Sequence, residues 1–189
     1  FVMPDSDVHI TVDFVKDGGQ TPPFVDVSGD AWYADAVAYV YNHGLMTGVS
    51  DNEFAPEIAV SRAMIVSILH RLDGQPPVSD GSEGPFQDVA DGAWYKDPVQ
   101  WAYANHIVNG MSATLFAPDQ AITREQLAVM LHNYASYKGL DTTARADLSG
   151  YADVNAISPY AREALEWANA VGLINGMSAD TLAPQVLTT

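Results

Sequence analysis

A pattern of about 62 residues is written nearly three times along this chain, and that recurrence limits the fold more than any other feature. The first copy reads Phe24-Val25-Asp26-Val27, Trp32-Tyr33, Gly44, Gly48, Phe54-Ala55-Pro56 and Val60-Ser61-Arg62-Ala63. The second reads Phe86-Gln87-Asp88-Val89, Trp94-Tyr95, Gly110, Phe116-Ala117-Pro118 and Ile122-Thr123-Arg124-Glu125, with every matched position 62 residues further on. A third begins at Tyr151-Ala152-Asp153-Val154 and continues through Trp167, Asn175-Gly176-Met177-Ser178-Ala179 and Leu182-Ala183-Pro184. Its Asn-Gly-Met-Ser-Ala string repeats residues 109–113 verbatim at an offset of 66. Repeats of this length are supersecondary units, each of which needs its neighbours to bury a core.

Each repeat is expected to hold two helices. The first spans roughly 33–43, 95–106 and 160–171, with Val37, Val40, Tyr41 and Leu45 at helical spacing. Pro98 suits a first helical turn, and Gly44 and Gly172 are suitable stops. The second helix starts at the N-caps Ser61 and Thr123, and Thr123 with Gln126 forms a capping box that Ser61 and Met64 cannot. Its buried stripe is Ile65, Ile68, Leu69 and Leu72 in one copy and Leu127, Met130, Leu131 and Tyr134 in the other. Ahead of the repeats, Val8, Ile10, Val12 and Phe14 alternate with polar residues, the signature of a half-buried strand.

The resulting boundaries are a strand segment at 1–15, read as the end of a preceding β repeat, and a linker at 16–23. Repeats follow at 24–73, 86–138 and 151–189, joined by Gly-, Pro-, Ser- and Asp-rich linkers at 74–85 and 139–150. By register Thr189 is level with Thr123, so the expected continuation in a parent chain is an Arg and another amphipathic helix.

Charge narrows the partners. A formal net charge of −16 excludes nucleic acid and disfavours an anionic membrane surface, since phosphate binding needs clustered Lys and Arg. No run approaches the roughly 18 apolar residues of a membrane span. With no cysteine, disulfides, thiolate catalysis and Cys-ligated zinc are excluded.

Among only eight basic residues, Arg62 and Arg124 hold the same repeat position, just after the N-cap of the second helix. A cation there opposes the helix dipole by some tenths of a kcal/mol, so helix stability does not explain it. Two explanations stand. The guanidinium and the free N–H groups of the helix start capture an anion, or the arginines make salt bridges to nearby Asp residues. Lys96 and Arg162, matched at the 66-residue offset, are a weaker second choice and read as solvated charge. Trp32 and Trp94 align, with Tyr160 in the third copy, and are either core or a stacking face for a sugar. Trp101 and Trp167, with Tyr39 in the equivalent place, read as core. No Gly-x-Ser-x-Gly elbow, calcium loop or distinctive acid/base pair appears, and His70 and His132 lie deep in the second helix, where packing suits them. The chain is read as non-catalytic, without cofactor or metal.

Phe-x-Asp-Val, an aromatic opening a helix, Gly-x-x-x-Gly, Phe-x-Pro and Thr-Arg-Glu-Gln together resemble the S-layer homology module over residues 24–189. The tetrads here read Ser61-Arg62-Ala63-Met64 and Thr123-Arg124-Glu125-Gln126. Departures are Met64 and Gln126 at the acidic fourth position, Tyr160 for Trp, and the absent third tetrad. The resemblance implies a mainly α fold of three helix-loop-helix repeats in a pseudo-threefold arrangement. It also implies non-covalent attachment to an acidic cell-wall polysaccharide linked to peptidoglycan, often pyruvate-bearing, at the outside of a bacterium. Ligand grooves between the repeats would be lined by Ser61, Arg62, Thr123 and Arg124, with Trp32, Trp94, Gly48 and Gly110 as further candidates. Replacing Arg62 or Arg124 by Ala is then expected to weaken polymer binding with little loss of fold. Other surface-layer subunits are the partners if the repeats instead serve protein assembly.

Overall fold

The computed structural model describes residues 20–78 and 84–189, and the chain divides into two compact units, Phe1–Phe54 and Ala55–Thr189. The strand expected over 1–15 lies outside the described residues. Five α-helices are present among those described: α1 (Ala34–Asn42), α2 (Arg62–Leu72), α3 (Lys96–Ala104), α4 (Arg124–Tyr137) and α5 (Arg162–Ala170). Two short 3₁₀ turns, Val154–Ala156 and Pro159–Ala161, precede α5. The only β pairing among the described residues is two isolated antiparallel bridges, Ser61 with Ala121 and Thr123 with Leu187.

The helix starts follow the caps written in the sequence. Ser61 accepts from Met64 N at 3.3 Å, while Thr123 and Gln126 complete the reciprocal capping box. α1 and α5 end at Gly44 and Gly172, with φ of +66° and +76°. The equivalent stop after α3 is His106 at φ +58°, a left-handed residue that no glycine signal announced.

In the first unit, Phe24 packs edge-on to Tyr41 at 5.1 Å and against Phe54 at 5.3 Å, and Val37 is buried. In the second unit the core lies between repeats. α2 packs on α3 and α4 on α5, so the second helix of one repeat rests on the first helix of the next. Val66, Val99, Ala102, Ile107, Phe116 and Ile122 are fully buried in one cluster, and Ala161, Leu165, Ala168 and Leu182 in the other. Trp101 and Trp167 sit in these clusters, flanked by His70 and His132, whereas Tyr39 is 38% exposed. Leu72, placed in the buried stripe by its spacing, is instead 52% exposed as the last residue of α2.

Each repeat also carries an internal staple. Asp88 accepts from Phe116 N and Ala117 N at 2.8 and 2.7 Å, and Asp153 accepts from Leu182 N and Ala183 N at 2.9 and 2.7 Å. Asp26 likewise accepts from Phe54 N at 2.9 Å. The alanines of the three Phe/Leu-Ala-Pro motifs, Ala55, Ala117 and Ala183, all have φ near the left-handed value, at 58°, 59° and 57°. In the second and third copies the motif carboxylate therefore holds a strained turn by taking up two successive backbone donors.

A ring of backbone hydrogen bonds joins the three copies. Val60 N donates to Thr188 O at 2.8 Å, Thr188 N to Ile122 O at 2.9 Å, and Ile122 N to Val60 O at 3.0 Å. These three residues occupy one repeat position, so the closed cycle marks a pseudo-threefold axis.

The Leu182 and Ala183 N–H groups hold the Asp153 carboxyl below its ordinary value of 3.8. Its contribution to stability is therefore complete above that value and fades as pH falls through the lower native one. Asp153→Asn is expected to reduce the melting temperature by a few degrees at neutral pH. In melts taken over a pH series the difference from wild type should narrow as pH falls below the ordinary carboxylate value of 3.8.

Candidate functional site

Arg62 leaves the first turn of α2 and crosses to the second repeat. Its Nε donates to Phe116 O at 2.8 Å and its Nη2 to Asn109 O at 2.7 Å, with the guanidinium 4.6 Å above the centre of the Phe116 ring. Arg124 repeats the arrangement one unit on, donating from Nε to Leu182 O at 3.1 Å and from Nη2 to Asn175 O. Burial pushes both guanidinium groups below their ordinary pKa, with Asp88 acting the other way on Arg62 and Tyr151 and Asp153 on Arg124. Neither arginine makes an ion pair among the described residues. The salt-bridge alternative is thereby replaced by charge-assisted bonds to backbone carbonyls, which explains a cation at an unfavourable helix position.

The free helix-start N–H groups expected to receive an anion are also occupied. Arg62 N and Ala63 N donate to Gln120 O and Pro118 O, both at 3.0 Å, and Arg124 N and Glu125 N donate to Val186 O and Pro184 O at 2.9 and 3.0 Å. The third donor of each turn goes to the N-cap hydroxyl. All the acceptors beyond the caps belong to the following repeat.

What remains open is a groove of about 310 Å³, lined among others by Arg62, Asn109, Gly110, Met111, Gln126 and Tyr160. Thr123 is not among the lining residues and meets the groove only through its cap partner Gln126, whose Oε1 accepts from Thr123 N at 3.1 Å. Gly110 is small for a packing reason: a Cβ there would lie 2.4 Å from Ser112 O and 2.5 Å from Phe86 Cε1. Gly48 is confined in the same way by Glu53 O at 2.5 Å and Phe24 Cε1 at 2.6 Å. Asn109 and Met111 were not singled out from the sequence, although the verbatim Asn-Gly-Met-Ser-Ala string was the signal that could have found them.

Trp32 and Trp94 are 93% and 61% exposed, which overturns the core alternative for both. Each ring stands edge-on to the tyrosine that follows it, Tyr33 at 5.5 Å and Tyr95 at 5.2 Å. Tyr160, the third member, lines the groove. Lys96 pairs with Asp91 at 2.6 Å and Arg162 with Glu166 at 3.3 Å, both on the surface.

Arg62→Ala would strand two carbonyls under a buried side chain. It is therefore expected to cost about 1–3 kcal/mol in a denaturant titration, contrary to the small effect expected from sequence. Trp32→Ala and Trp94→Ala should stay within about 0.5 kcal/mol of wild type in the same measurement.

The model of the S-layer homology domain family matches residues 23–63, 85–128 and 150–189. The chain is 32% identical over 169 residues to the surface-layer 125 kDa protein of Lysinibacillus sphaericus, an alignment covering 88% of this chain and 13% of that protein. It is 31% identical over 163 residues to an endoglucanase of Bacillus sp. (strain KSM-635), covering 86% of this chain and 17% of the enzyme. A cellulosome-anchoring protein of Acetivibrio thermocellus is 23% identical over 112 residues, 58% of this chain and 25% of that protein. The chain thus spans less than a fifth of the length of the first two relatives. With three matched segments over most of its length, the chain belongs to the S-layer homology domain family and is a surface module of the bacterial cell exterior.

Proposed function

We propose that this chain is a non-catalytic anchor that holds a surface protein to the cell wall by binding an acidic, pyruvate-bearing polysaccharide linked to peptidoglycan. The observation that carries the reading is the groove at Arg62. A guanidinium has five N–H donors and the two backbone acceptors use only two of its nitrogens, so donors remain for a carboxylate. Asn109, Gln126 and Tyr160 add the uncharged polar groups a sugar needs, and Gly110 and Met111 its apolar floor. A narrow groove with one buried cation lets a chain of net charge −16 accept an anionic polymer, because the field is set locally and not by the total. Exposed Trp32 and Trp94 each supply an aromatic face on which a sugar ring would stack. Ser61 and Thr123 act by fixing the helix starts that carry the arginines. The names of the surface-layer and cellulosome-anchoring relatives support the same role. Alignment to the endoglucanase over 17% of its length fits a shared module and not a shared chemistry.

Met111 is 49% exposed in the groove, so Met111→Glu adds a carboxylate beside Arg62 without disturbing the core. Co-sedimentation with purified cell walls, before and after removal of the secondary polymer, should show binding by the wild type to intact walls alone. Met111→Glu should weaken it by about tenfold or more, the value of a charge-assisted bond, at an unchanged melting temperature. Equal binding to stripped walls, or to purified surface-layer subunits alone, would replace the polymer by a protein partner.

A further inference from the structure

The two junctions between repeats are not chemically alike. At the first, the repeat positions are Ala63, Gly92 and Trp94; at the second they are Glu125, Ser158 and Tyr160. All three change together, and in the second unit they meet. Glu125 is 2% exposed and its carboxylate is satisfied by uncharged donors: Ser158 N at 2.9 Å, Ser158 Oγ at 2.7 Å and the Tyr160 phenol at 3.0 Å. A buried carboxylate is costly without such donors, and the first junction has no hydroxyl at either place: Gly92 has no side chain, and Trp94 carries only an indole N–H on a ring that is 61% exposed. The polar set at the second junction is therefore a matched replacement, and it is poor economy as mere packing, because Ala63 fills the equivalent place with no polar group and 0% exposure.

The consequence falls on the groove. Tyr160 forms part of its wall together with Arg62, Asn109 and Gln126. Its phenol proton is committed to Glu125, so the phenol oxygen meets a ligand through its lone pairs, as an acceptor. Burial, then the hydrogen bond to Glu125 and its charge, raise the pKa of this phenol against opposing hydrogen bonds from Gln126 and Ser158, which keeps the proton on the oxygen. The groove then has a cationic donor on one side and a fixed acceptor on the other.

We propose that Glu125 is a positioning residue that fixes the Tyr160 phenol in the wall of the Arg62 groove, and that the phenol oxygen is the acceptor for a sugar hydroxyl of the anionic polysaccharide. This rests on the groove binding that polymer.

Tyr160→Phe retains the ring and removes the oxygen. In co-sedimentation with polymer-bearing cell walls it should weaken binding about three- to tenfold, the range for one uncharged hydrogen bond. Glu125→Gln should weaken it similarly, and the double variant should bind no worse than Tyr160→Phe, since both act through one oxygen. Where Glu125→Gln does not fold, the set from the first junction takes its place: Glu125→Ala, Ser158→Gly and Tyr160→Trp together should fold and show the same loss. Wild-type binding by Tyr160→Phe or by this triple variant overturns the acceptor role, and additive losses in the double variant overturn the positioning role. Met111→Glu separates the two readings. If it weakens binding while Tyr160→Phe does not, the groove stands and the acceptor fails; if neither variant has an effect, both fall.

Discussion

The N-terminal turns of α2 and α4 are closed by carbonyl groups of the following repeat, and the rest of the second unit depends on that exchange. A helix start leaves backbone donors that must find partners when buried. Here Pro118 and Gln120 serve α2, and Pro184 and Val186 serve α4. The same segments place Val60, Ile122 and Thr188 in a closed hydrogen-bonded cycle. The own-repeat caps leave the first two N–H groups of α2 and of α4 to the following repeat, so the repeats of this unit are cooperative by construction.

The arginines reinforce this exchange from the side-chain direction. Arg62 and Arg124 each reach two carbonyls in the next repeat, at equivalent positions, and so fix the loop against the helix that precedes it. The loop in turn is shaped by the motif carboxylate, which takes up the donors of the left-handed Ala turn, and by a glycine with no room for a Cβ. Helix, arginine, loop and staple thus form one device repeated along the chain. At Arg62 its product is a groove whose cation is already held in place, the preorganisation that would lower the ordering cost of the binding proposed for it.

Departures from strict repetition are where the junctions acquire individual character. Glu125, Ser158 and Tyr160 exchange a small apolar contact for a satisfied polar one. At the other ends of the helices, Asp73 accepts from Lys138 Nζ and from the Tyr137 phenol, tying the close of α2 to the close of α4. Neither contact recurs in the other copies as the sequence is written, because the partner residues differ there.

The sequence by itself determined the repeat count, the helix positions and the candidate arginines. Periodicity, N-caps and stop glycines act within a few residues, so Ser61, Thr123, Gly44 and Gly172 could be read directly. Trp101 and Trp167 were legible as core for the same reason. The sequence also marked Arg62 and Arg124 as anomalous, since a cation at a helix start has no local explanation. What satisfied them was decided only by tertiary structure: their partners are backbone carbonyls some 50 residues away, and a carbonyl has no residue identity to read. The exposure of Trp32 and Trp94 was hidden equally, because an aromatic at the start of a helix has the same local pattern whether it faces core or solvent. Asp88 and Asp153 stood in plain view as motif letters, yet their role as staples needs the fold to bring them to a loop about 28 residues on. Local chemistry fixes where helices begin; only the packing of one repeat on the next decides which groups are left lining the groove.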